Sequence, residues 1–175
     1  KQFANAGQHD VVILDAPATG HATSMLSSVA GLLDIVEGGP IREQALDVER
    51  LLMNADRCGA VVVTTAETTP VNESIELMSA IREVGVALAG AVVNAVEPDE
   101  LLTGLSDKEL AGLPSAAADT IRAAIDRHKN SSADVERFVG ALDLEVTQVV
   151  KLPTAELGRD HISDLAVAAF EGSGS

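Results

Sequence analysis

The chain has 175 residues, 46% hydrophobic and 22% charged, which gives enough apolar length for one domain with a sizeable core and excludes a disordered chain. A net charge of -15 with no Lys/Arg run argues against nucleic-acid phosphates and anionic lipid as partners, since both need a cationic surface; the plain reading of the acidity is solubility. One cysteine, Cys58, excludes an internal disulfide, and no segment reaches the ~18 apolar residues of a membrane span, so no stable membrane insertion and a cytoplasmic location are expected.

Only 2% of residues are aromatic, so Val, Leu, Ile and Ala must build the core. Residues 1–9 are polar, and the chain is expected to be a cut one, because it opens just before a strand suited to a sheet interior. That strand is residues 11–14, a continuous apolar run with Asp15 at its carboxyl end. Pro17 and Gly20 then interrupt regular structure. Residues 22–36 follow with helical spacing, Met25, Val29, Leu32, Leu33 and Val36 sharing one face. A second helix over residues 41–54 turns Ile41, Ala45, Val48, Leu51 and Leu52 inward and Arg42, Glu43, Glu49 and Arg50 outward.

Residues 60–65 predict a second strand buried on both faces. Thr69 is placed to cap the next helix, with Pro70 at its first position, and that helix runs to about Val84. A third strand covers residues 86–94. Short helical turns are expected between 97 and 113. A long helix capped by Ser115 extends to about Leu142, with an interruption expected near residues 130–132. A fourth strand over 145–150, a loop over 152–156 and a last helix over 160–170 complete the chain. Strands alternating with helices predict an α/β fold, a mostly parallel sheet with helices on both faces and a short helical insertion at about 22–57. The domain is expected over residues 1–172, with 173–175 as a tail.

One stretch points to chemistry. Asp15-Ala-Pro-Ala-Thr-Gly-His21 resembles the switch II signature of the arsenite-pump and tail-anchored-protein-targeting ATPases, usually Asp-Thr-Ala-Pro-Thr-Gly-His-Thr. Asp15 and Thr19-Gly20-His21 match, the proline stands one place early at Pro17, and the spelling is most similar to the actinobacterial branch. The resemblance implies a partial P-loop NTPase-like fold that binds ATP and Mg2+ and works as a homodimer, or as a heterodimer with a family ATPase, on an unidentified client. It makes Asp15 the catalytic carboxylate on the magnesium side, acting through water, with Thr19, Gly20 and His21 transmitting the motion. Without it, Asp15 merely ends a strand and His21 caps a helix.

The same resemblance extends to Val92-Val93-Asn94, whose Asn the family places on the base. An Asn amide carries the donor and acceptor that an adenine edge requires, although a turn-forming Asn fits the position too. Pro153 and Thr154, in Leu152-Pro153-Thr154-Ala155-Glu156, resemble the family's loop packed on the base. Glu67 and Glu73 fall in a segment that is similar to the family's or serves only as a helix entry. Met25, Met53 and Met78 read as core rather than as a client groove.

These 175 residues contain no G-x-x-x-x-G-K-[ST], so the chain by itself is not expected to hydrolyse ATP. A single cysteine argues against arsenite transport and against the zinc-holding cysteine pair of the eukaryotic enzymes. The helices over 22–54 are short for capturing tail-anchored clients. Two other readings stay open: a non-catalytic partner subunit that regulates a P-loop-containing homologue, and a partition or septum-positioning ATPase. Thr19-Gly20-His21 argues against the second, whose members usually continue with a Gly pair.

Overall fold

The structure, a computed structural model, describes residues 9–17, 19–98, 107–152, 154 and 156–171. Its elements are α1 (Thr19–Ile35), α2 (Pro40–Leu52), β1 (Gly59–Thr65), α3 (Thr68–Val84), β2 (Ala87–Val96), α4 (Asp107–Ala111), α5 (Ser115–Gly140), β3 (Val146–Val150) and α6 (Arg159–Glu171). The strands form one parallel sheet in the order β1-β2-β3, flanked by helices, as the alternation of strand and helix predicts. The expected tail at 173–175 lies outside the described residues.

The strand expected at residues 11–14 is not formed. The segment joins no ladder among the described residues, and Val11 and Ile13 stand 74% and 89% exposed. A strand needs a neighbour for its backbone and a layer over its side chains, and residues 11–14 have neither here. Burial on both faces also fails in β1. Val62 and Thr64 are buried, whereas Val61 and Val63 are 57% and 62% exposed.

By its internal contacts the chain divides into two compact units. The first comprises Lys1–Val61 with Glu76–Ala89, and the second Val62–Ile75 with Gly90–Ser175. In the first, α1 packs on α2. Arg42 of α2, expected to face outward, instead donates to the carbonyls of Leu33 (2.7 Å) and Val36 (2.6 Å). Those are carbonyls that the end of α1 leaves without helical partners, so Arg42 caps α1 from its neighbour. Ala22 and Ala45 are the buried residues of this helix pair; Met25, Leu32 and Ile41 of the expected inner faces are exposed.

Two glycines in the first unit are required by geometry. Gly85 has φ of 86°; its N–H donates to the Arg82 carbonyl and the Val86 N–H to the Ile81 carbonyl, a Schellman close to α3. A Cβ on Gly59 would lie 2.6 Å from the Cβ of Ala89, so the start of β1 tolerates no side chain.

In the first unit Met78, Ile81 and Val86 are also buried; the second unit has an interior of its own. Val71, Val93 and Phe138 are fully buried, with Ala91, Leu110, Ala118 and Val135 nearly so. α5 runs unbroken through residues 130–132, where the Ser132 hydroxyl donates back to the His128 carbonyl at 3.0 Å instead of breaking the helix. Pro114, not Ser115, occupies the position before α5, and no side chain caps it. α6 packs on β3, and α4 on α5.

Candidate functional site

In the first unit, Asp15 lies in the irregular segment that leads to α1 and is exposed, rather than ending a strand. The backbone of Thr19 opens α1, and Gly20 and His21 follow in its first turn, both exposed. The Ser24 hydroxyl donates to the Gly20 carbonyl at 3.1 Å. Among the described residues no three His, Cys, Asp or Glu side chains gather as a metal cage. No helix among them is long and apolar enough to cross a membrane.

In the second unit, parallel pairing brings the carboxyl ends of β2 and β3 side by side. Val93 pairs with Gln148 and Val96 with Val150, so Asn94 and Ala95 together stand opposite Val149 alone. This is a bulge of one extra residue on β2. Ala95 adopts φ of 57°, the left-handed region, and is the non-glycine residue that does so among the described residues. Asn94 is exposed there, while Val93 before it is fully buried. Below the bulge the strands close again: the Lys151 N–H donates to the Val96 carbonyl at 2.9 Å, and the Lys151 ammonium donates to Glu97 at 2.6 Å.

Thr154 is three residues beyond Lys151. Its hydroxyl donates to the Glu156 carbonyl (3.0 Å) and accepts from the Glu156 N–H (3.3 Å), a local turn that occupies it. Pro153 lies outside the described residues. The turn leads into α6, where the Gly158 N–H donates to Nδ1 of His161 at 3.1 Å, a histidine in the reciprocal role of a capping box. Asn94 and Thr154 thus share one end of the sheet, where open α/β folds bind ligands. Asp15, Gly20 and His21 belong to the other unit.

Sequence reasoning missed two features of the second unit. The first is the Asn94-Ala95 bulge, for which an alanine in an apolar run gives no signal. The second is a polar group that ties α3 to α5. The Thr68 hydroxyl donates to Oδ2 of Asp134 at 2.7 Å, Arg137 donates to Oδ1 of Asp134 at 2.7 Å, and Arg137 also donates to Asn72. Asp134 is 8% exposed and has both carboxylate oxygens satisfied, as a buried charge requires. The available signal was an Asp on the same face of α5 as Val135 and Phe138. Thr68 begins α3 just past the carboxyl end of β1, so this group fixes how the helix leaves the strand. Glu67, between them, is exposed and accepts the Val71 N–H on its carbonyl at 3.0 Å.

No protein-family model matches the chain. ATPase BagA of Mycobacterium tuberculosis is 27% identical over 169 residues, a match that takes in 87% of this chain and 49% of that protein. "Putative ATPase Mb3704" of Mycobacterium bovis matches at the same identity and coverage. The chain spans about half the length of the curated relatives it matches. It is a distant relative of mycobacterial proteins that bear the name ATPase.

Proposed function

We propose that the chain is the C-terminal part of a cytosolic, nucleotide-gated ATPase of the arsenite-pump and targeting type, in which ATP hydrolysis drives a conformational change in a dimer. The observation that carries this reading is the likeness to ATPase BagA across 87% of the chain. Asp15-Ala-Pro-Ala-Thr-Gly-His21 supports it by its residues. The parallel sheet supports it by offering ligand positions at the carboxyl ends of its strands.

In this reading Asp15 holds Mg2+ through water. An exposed carboxylate suits that role, because Mg2+ keeps several of its waters and takes only one or two protein carboxylates. Bound Mg2+ would supply charge neutralisation for phosphate oxygens. Asp15 stands four residues before α1, so a change in its position is delivered through Thr19, Gly20 and His21 to the first turn of that helix. Asn94 reads the adenine edge with its amide, and Pro153 and Thr154 complete the base-side loop.

The test is Asp15→Asn in the full-length protein, which keeps shape and removes charge. ATP turnover should fall while nucleotide binding persists; unchanged turnover would overturn the role of Asp15. Asn94→Ala should weaken ATP relative to GTP by about tenfold, the worth of one well-placed polar contact. An unaltered ratio would remove Asn94 from the base site.

A further inference from the structure

We propose that the bulge at Asn94-Ala95 is a positioning device for base recognition, with Ala95 as the residue that sets the direction of the Asn94 amide; this rests on Asn94 contacting the base. In a regular strand, Asn94 would be held at both sides by the ladder to β3, and Ala95 would return to the face of Val93. Here one extra residue is accommodated between the Val93 and Val96 pairings. Regular pairing is interrupted where Asn94 stands, and the ladder resumes at once with the Lys151 N–H on Val96 and the Lys151–Glu97 ion pair. The irregularity is therefore clamped on both sides, not a fraying end.

The strain at Ala95 points the same way. An L-residue with a Cβ disfavours φ of 57°, and glycine or asparagine would reach it at less cost. Strained residues that persist are held by their surroundings and cluster where a side chain must be aimed. Fully buried Val93 fixes the chain before the bulge and the Val96–Val150 pairing fixes it after, so the twist at Ala95 is discharged onto Asn94. A planar amide can pair with a base edge only within the plane of the base, so a small rotation of this backbone exchanges recognition for a simple solvent contact. The Lys151–Glu97 pair closes the clamp at the surface, where solvent limits its strength.

The experiment measures the affinities of fluorescent ATP and GTP analogues for the full-length protein and takes their ratio, with thermal unfolding recorded beside it. Ala95→Val, whose branched Cβ cannot hold the left-handed conformation, should lower the ATP preference by about tenfold, close to the loss from Asn94→Ala. The double variant should lose no more than either single one. Ala95→Asn, which tolerates that conformation, should restore the preference. If Asn94→Ala abolishes the preference while Ala95→Val preserves it, the positioning role is overturned and the base contact survives. If Asn94→Ala itself changes nothing, the base contact fails, and the positioning role with it. Should Ala95→Val not fold, the ion pair decides: Lys151→Glu should lower the preference about threefold, as expected for a surface pair, and adding Glu97→Lys should recover it. Absence of that recovery would overturn the proposal.

Discussion

Residues 9–54 and the interior around Phe138 are written in the same apolar vocabulary, yet they fold to different ends. Around Phe138, Ala118 and Val135 of α5 and Ala91 and Val93 of β2 are buried, and the polar side chain among them arrives with partners already in place, as Asp134 does with Thr68 and Arg137. In residues 9–54 the apolar run at 11–14 is exposed, and among the described residues α1 and α2 bury Ala22 and Ala45 alone. The difference teaches that apolar pattern fixes which face seeks cover, while burial depends on a second layer being within reach.

That comparison breaks most sharply at Phe138. Phe138→Ala should lower stability by about 3–5 kcal/mol, since a fully enclosed ring leaves a cavity; a chemical denaturation curve with a loss below 1 kcal/mol would mean the interior is looser than its geometry. Asp134→Ala should cost about 2 kcal/mol, because Thr68 and Arg137 lose a charged acceptor. Asparagine at 134 keeps one acceptor and should recover part of that loss in the same titration.

Residues 9–54 sharpen the contrast from their own side. Arg42→Ala uncaps the end of α1 and should cost about 1 kcal/mol, seen as helix loss by circular dichroism at a lower temperature than in the parent. The smallest change is Ile13→Ser. At 89% exposure it should shift stability by no more than ~0.5 kcal/mol. A loss of several kcal/mol measured in the full-length protein would show that residues 11–14 gain cover there, and the two regions would then differ only in where their cover comes from.

The sequence was legible where local signals and packing agree. The strands expected at 60–65, 86–94 and 145–150 appear as β1, β2 and β3 within a residue or two, because each apolar run has a neighbour to pair with. Residues 11–14 carry an equally good run but no ladder among the described residues, so periodicity alone over-read them. Arg42 was misplaced for a related reason. Helical spacing put it on the polar face, and only the tertiary placement of α1 offers it two carbonyls. At the candidate site, the position of Asn94 at a strand end could be read directly. The bulge beside it could not, because an alanine at φ of 57° is a choice of backbone register, made by β3 and invisible in the residues 93–96 themselves.

Gly59 carries a consequence for how this chain can vary. Its missing side chain is filled by the methyl of Ala89, 2.6 Å from where a Cβ would stand. The two positions therefore share one methyl-sized space between neighbouring strands. Gly59→Ala alone must push β1 and β2 apart, whereas exchanging both residues hands the same volume to the other strand. In a library randomised at single positions, 59 should admit almost nothing; in one randomised at 59 and 89 together, Ala-Gly should emerge beside Gly-Ala. What looks like an invariant glycine from one side is half of a trade between two sites.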